Sequence, residues 1–373
     1  MGTQYISSNI LNLRSRALSG GGGVLQPACE VNSMKILKKS LLAFILVCMA
    51  AIHVQAAKGT MPVPETVSPQ MQELIAAGFP SYWEVRPQSA EEWRVFVKSF
   101  ADSMESALPA LKEQMGVTVT TDTMGGVPVY IVTPKKLPRE NVGRVLLNFH
   151  GGGYVLGPGE SGSYEAILTA ALCGYRVIMP DYRMAPDFPY PAALDDATAV
   201  YKALLKTTPA DKIGVFGTST GGGMTLALIL RAKAEGLPLP AAIVAGTPWT
   251  DLTKTGDTYF TCEHLDNVLV SYEGWLGEAA KIYAGDHDQK DPMLSPVYGD
   301  AGGFPPTLLI SGTRDLFLSN TVRMHVKLRQ AGADADLLVL EGMSHAQHMM
   351  LPDAPETVFY FKELEKFFQK HLK

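Results

Sequence analysis

Six short, almost wholly apolar runs recur through the second half of the chain: 144–150 (RVLLNFH), 176–181 (RVIMPD), 213–217 (IGVFG), 241–246 (AAIVAG), 307–312 (TLLISG) and 337–342 (LLVLEG). A strand with one face in water alternates apolar and polar residues, whereas a strand covered on both faces is apolar throughout. These runs do not alternate and are too short for buried helices, so they read as strands covered on both sides. Residues 127–134 (VPVYIVTP) precede them and read as an outer strand. Helical patterning fills the intervals at 163–172, 192–205, 222–234, 319–331 and 354–372; Val200, Ala203 and Leu204 recur at the three- and four-residue spacing of one helix face. The last helix follows LPDAP, where Asp353 is the expected cap and Pro355 suits the first turn. Strand, helix, strand in succession requires crossovers of one hand and a mostly parallel sheet, which makes the class α/β.

Two stretches break that rhythm. Residues 60–115 are helical and rich in Met, Trp and Glu, and residues 251–297 interrupt the strands. Segments inserted at the mouth of an α/β sheet commonly cover it, so the two are expected to pack together as a helical cap over the site.

The start of the chain is of another kind. Residues 1–33 are polar with a glycine run at Gly20–Gly23, which predicts a disordered or untranslated stretch. From Met34, a positive region (Lys35, Lys38, Lys39), an apolar run (Leu41 to Ile52) and Val54-Gln55-Ala56 reproduce the three parts of a secretory signal peptide. The expectation is that translation starts at Met34, with cleavage after Ala56 or Ala57, export to the periplasm or medium, and no stable membrane insertion afterwards; an uncleaved anchor is the alternative. The predicted organisation is therefore a leader at 34–57, cap helices at 58–115, and one α/β domain at 116–373 carrying the insertion. With 46% hydrophobic residues, such a domain can bury a large core. The formal charge of −5 and the lack of a basic stripe exclude a nucleic-acid partner. Removing the leader leaves Cys173 and Cys262, enough for one disulfide at most and without the spacing of a zinc site; Cys173 reads as a buried thiol.

Ligands in open α/β sheets sit beyond the carboxyl ends of the strands, so the residues just after each run are the candidates. Ser219 follows the 213–217 run in Gly217-Thr218-Ser219-Thr220-Gly221, a G-x-S-x-G pattern between a strand and a helix, the setting of a nucleophilic serine on a strained turn. A bare hydroxyl needs a base, and His345 stands three residues past the last strand run, where the base of such a sheet belongs; His348 is second choice. His150, His264, His287 and His325 lack that place. Asp315, after the 307–312 run, can hold an imidazole in the tautomer that accepts a serine proton; Asp181 and Asp251 end other strands but sit in the wrong slots. His150-Gly151-Gly152-Gly153 leaves backbone N–H groups unshielded, and Gly152, Gly153 and Thr220 are the expected oxyanion-hole donors, with His150 tying the loop in place. Tyr154, beside that loop, is the expected substrate contact; Trp83, Trp93, Phe96, Trp249, Tyr259 and Trp275 are weaker candidates for the pocket wall.

Taken together, HGGGY, DYRMAPDFPYPAALDDA, GTSTGG, GTRD and GMSH resemble the hormone-sensitive lipase family of α/β-hydrolases, the group that holds bacterial carboxylesterases and acetyl-hydrolases, from about Val127 to the C-terminus. The resemblance implies a Ser219, Asp315, His345 triad, an HGG-type oxyanion hole, and a cap built from the N-terminal helices and the late insertion. Two departures stand out. Thr218 and Thr220 replace the usual Asp and Ala beside the serine, and Thr220 is expected to alter the pocket's shape; Leu316-Phe317 replaces the usual Pro-Leu after the aspartate.

The expected activity is hydrolysis of small, short-chain acyl esters through an acyl-enzyme, with no metal or organic cofactor. Deacetylation or amide cleavage of a natural product or drug is the alternative within the same chemistry. A non-catalytic small-molecule binding protein on the same fold is the alternative from another class. A homodimer is compatible with such a chain.

Overall fold

The computed structural model describes residues 61–373, so the expected leader at 34–57 and the stretch before it lie outside the described residues. Eight strands form one sheet in the order β1-β2-β4-β3-β5-β6-β7-β8. They are β1 (Val117–Met124), β2 (Val127–Pro134), β3 (Val145–Phe149), β4 (Arg176–Pro180), β5 (Ile213–Thr218), β6 (Ala242–Gly246), β7 (Thr307–Gly312) and β8 (Ala335–Leu340). Pairing is antiparallel for β1 with β2 and β2 with β4, and parallel from β4 across to β8.

The near-continuous apolar runs do become strands covered on both faces. Along the sheet, Leu147, Val215, Ile243 and Leu309 face one apolar layer and Leu146, Phe216, Val244 and Leu308 face the other. The first layer takes α4 (Ala192–Leu205), α5 (Thr220–Ala234) and α8 (Leu318–Gln330); the second takes α3 (Tyr164–Cys173) and α9 (Pro355–His371). Each fully buried Val, Leu or Ile contributes about 2 kcal/mol, so the sheet's two-sided burial is the main force holding its carboxyl rim in place.

Two expectations need correction. Residues 127–134 are not the outermost strand, because β1 pairs outside them; its sequence VTVTTDTM is largely exposed and polar, as an edge strand tolerates. Asp353 does not cap α9: Ala354 holds the cap position without a side-chain bond, while Pro355 takes the first turn as expected. Cys173 is the buried thiol expected, and Cys262 is likewise buried and free, so the one disulfide the count allowed does not form.

The two irregular stretches meet each other. The first carries α1 (Pro69–Ala76), a short 3₁₀ turn at Ser81–Glu84 and α2 (Ala90–Met115); the second carries α6 (Thr258–Thr261) and α7 (Trp275–Ala284). The Tyr82 and Phe96 rings pack on Trp275 at 6.5 and 6.3 Å, and Asn267 Nδ2 donates to the carbonyls of Leu74 and Ala77 at 2.8 and 3.0 Å.

Candidate active site

Ser219 links β5 to α5 with φ 64° and ψ −124°, a strained conformation for a residue with a side chain. Local packing enforces it. A β-carbon on Gly217 or Gly221 would collide with the Phe149 carbonyl, so the turn closes against β3 only with glycine at both places. Hydrogen bonds then hold the serine backbone from two sides: its N–H donates to Gly246 O (2.8 Å), and its carbonyl accepts from Trp249 N–H (2.9 Å). The side chain is left projecting from the sheet's carboxyl rim, on the wall of a cavity.

Asp315 and His345 stand on the same rim, after β7 and β8. Asp315 is fully buried; its Oδ1 lies 3.0 Å from His345 Nδ1 and accepts Phe317 N–H at 2.9 Å, and its Oδ2 accepts the Ser311 hydroxyl at 2.6 Å. With that acceptor at Nδ1, the neutral imidazole carries its proton there and leaves Nε2 as the basic nitrogen. His345 Nε2 is buried and has no hydrogen-bond partner among the described residues, and it borders the same cavity as Ser219. No hydrogen bond links the Ser219 hydroxyl to another described residue, and the serine and the imidazole border one cavity. Catalytic contacts are commonly loose before substrate binds.

The glycine loop follows β3. Gly152 and Gly153 take φ 118° and 68°, and a β-carbon on Gly153 would press on the Trp275 ring at 2.7 Å. Neither their N–H groups nor that of Thr220 donates to an acceptor among the described residues. His150 behaves as expected: Nδ1 sits 2.7 Å from Gly151 O, and the ring stacks on Tyr182 at 4.3 Å, whose hydroxyl donates to His150 O at 2.7 Å. Burial lowers its pKa, so the ring stays neutral and structural.

The cavity measures about 300 Å³. Leu74, Tyr82, Phe100 and Met104 line it from the first irregular stretch, Leu269 and Trp275 from the second. Its floor carries Gly151, Gly152, Thr218, Ser219 and His345.

Tyr154 is not on that wall, contrary to expectation. With φ 60° it turns away from the glycine loop, and its buried ring stacks on Tyr283 at 3.8 Å in the core. Trp93, Trp249 and Tyr259 are likewise core residues, and among the aromatics singled out from the sequence only Trp275 borders the cavity. Thr220 is fully buried and off the wall, so it does not reshape the pocket; Thr218 is the threonine that borders it. His348 lies behind β6, edge-on to Tyr360 at 4.5 Å, and burial followed by the proximity of His345 pushes its pKa down to about 3. Asp251 is taken up by Arg323 and Tyr298, each at 2.7 Å, and Asp181 by Gly159 N–H at 2.9 Å.

Two buried carboxylates escaped the sequence reading. Glu165, on α3, borders the cavity and accepts the Thr218 hydroxyl at 2.6 Å and Asn148 Nδ2 at 3.2 Å. Burial raises its pKa to about 7, and those hydrogen bonds only partly oppose the rise. Asp266, in the second irregular stretch, is raised to about 6, first by burial and then by the neighbouring Asp315, with His345 pulling the other way. Only the aspartate's place before the apolar Val268-Leu269-Val270 hinted at a turn there.

Comparison with known proteins adds relatives to this geometry. Residues 146–349 match the family described as having the alpha/beta hydrolase fold. An acetyl-hydrolase of Streptomyces hygroscopicus is 31% identical over 59% of this chain and 73% of its own length, and an ethyl acetate hydrolase of Pseudomonas putida is 30% identical over 73% and 88%. Among solved structures, an esterase E25 superposes with a TM-score of 0.82 at 40% identity, covering 86% of this chain and 99% of that one. A hormone-sensitive lipase from a metagenome library superposes with a TM-score of 0.64 at 30% identity, covering 74% and 97%.

Proposed function

This chain belongs to the α/β-hydrolase family, in the group of hormone-sensitive-lipase esterases, and from that footing we propose that it is a serine carboxylesterase for small, short-chain acyl esters. The observation that carries the reading is the meeting at one cavity of a strained serine turn and a buried imidazole whose other nitrogen is held by a carboxylate. Ser219 attacks the ester carbonyl while His345 Nε2 takes its proton; Asp315 holds the ring and stabilises the imidazolium. The negative oxygen of the tetrahedral intermediate is bound by the N–H groups of Gly152, Gly153 and Thr220, which are free to donate. His345 returns the proton to the departing alcohol, and water, activated by the same imidazole, releases the acid.

Small esters are supported by the cavity, since about 300 Å³ is the low end for ligand sites, and by relatives named for acetyl and ethyl acetate hydrolysis. The stretches that roof the cavity serve as its cap. Residues 34–57 have the composition of a cleavable leader, and export is the matching location.

The test compares p-nitrophenyl acetate, butyrate and decanoate on the wild type and Ser219→Ala. The expected result is turnover of the two shorter esters, kcat/KM at least tenfold lower on decanoate, and no activity in the variant. Activity that survives Ser219→Ala overturns the mechanism, and equal use of decanoate overturns the chain-length preference.

A further inference from the structure

The loops that carry Asp315 and His345 are joined by a carboxylate that belongs to neither. Asp266 lies between β6 and β7, fully buried. Its Oδ2 accepts the N–H of Leu316 at 2.8 Å, one residue past Asp315, and the N–H of His345 itself at 3.3 Å. Its Oδ1 accepts the N–H groups of Val268 and Leu269 at 2.8 and 3.1 Å, both on the cavity wall. The next residue extends the tie: Asn267 N–H donates to Ser344 Oγ at 3.1 Å, and its side-chain oxygen accepts Gln347 Nε2 at 2.7 Å. One turn of the insertion thereby grips both catalytic loops and the cavity wall.

The neighbouring His345 favours this carboxylate's charge. Among the described residues no Lys or Arg pairs with it, and the nearby Asp315 makes its charge costlier. A buried acid facing an acid is expensive as plain scaffolding. An aspartate that accepts four backbone N–H groups is well suited to fixing the distance between two loops, because every lone pair it offers is used in one geometry.

We infer that Asp266 is a positioning residue for acyl transfer, holding the Asp315 loop and the His345 loop in the register that keeps the imidazole aimed at Ser219. The inference rests on the triad reading above. An amide at this place cannot satisfy four N–H donors, since whichever way it turns its NH₂ group faces two of them.

The experiment measures kcat and KM for p-nitrophenyl butyrate on the folded fraction of Asp266→Asn, Asp315→Asn and the double variant, with Asp266→Glu keeping the carboxylate on a longer arm. Asp251→Asn serves as the control, a buried carboxylate of the same stretch tied to Arg323 and Tyr298 instead. The expected result is a kcat at least tenfold lower in Asp266→Asn with KM within about twofold, and a smaller loss in Asp266→Glu. In the Asp315→Asn background the cost of Asp266→Asn should shrink to about twofold, because both changes act through one imidazole. Asp251→Asn should lose thermal stability and keep its kcat. A lowered Tm with wild-type kcat in Asp266→Asn overturns the inference, as does a cost that is unchanged in the Asp315→Asn background. Should Asp266→Asn not fold, a wild-type kcat in Asp266→Glu overturns it and a tenfold loss at constant KM supports it. Full activity in Asp315→Asn sinks the triad reading itself, whereas loss there with Asp266→Asn unaffected sinks only the role of Asp266.

Discussion

Thr218, the residue before the candidate nucleophile, donates its hydroxyl to Glu165 at 2.6 Å, and both line the cavity. A threonine in a serine turn is thus the hydrogen-bond partner of a buried acid that no cation among the described residues accompanies.

Glu165 should leave a mark on stability. Its folded pKa of about 7 lies above its ordinary 4.5, so between those values the folded protein holds a proton that the unfolded chain has released. Stability therefore falls as pH rises through that window. Glu165→Gln removes the titration, and its stability relative to wild type should improve by up to about 3 kcal/mol between pH 5 and pH 8. Urea unfolding at both values checks this; parallel curves for the two proteins contradict it.

Gly152→Ala should spare the fold and damage the chemistry. The residue sits at φ 118°, and an added β-carbon would strike the Leu156 carbonyl, shifting the N–H meant for the oxyanion. The expected loss in kcat is about 10²- to 10³-fold on p-nitrophenyl acetate, the usual cost of one such donor. Gly126→Ala, also at positive φ (86°) but with open space around it, should keep full activity.

The two histidines of the 342–348 segment should separate cleanly. His345→Asn should lower kcat by about 10⁴-fold or more. His348→Asn, which disturbs the contact with Tyr360 behind β6, should lower Tm and leave kcat within about threefold. Steady-state kinetics beside a melting curve decides, and the reverse pattern would reassign the base.

Phe100→Ala should widen the range of acyl lengths. Phe100 borders the cavity from α2, and truncating it opens apolar space at the roof. The ratio of kcat/KM for decanoate over butyrate should rise about tenfold, within what a few methylenes in an apolar pocket are worth. An unchanged ratio would place the length limit elsewhere on the wall.

What could be read before folding was set by continuity along the chain. Runs of apolar residues mark strands covered on two faces, and the rim they create brings Ser219, Asp315 and His345 together because each follows a strand closely. β1 went unread since its alternating threonines belong to an exposed edge, where packing puts little demand on composition. Tyr154 was misplaced because its direction depends on one positive φ that follows two flexible glycines. Asp266 and Glu165 were silent for another reason: each acts on residues about 50 to 80 positions away, and a carboxylate's partners at that range leave no periodic trace.

The grip of the 266–269 turn on Leu316 and His345 bears on how this scaffold can be re-engineered. The insertion between β6 and β7 supplies part of the cavity wall and also anchors two catalytic loops, so it is not an interchangeable module. A chimera that imports a foreign insertion to change substrate range would also exchange the fastening of its own base.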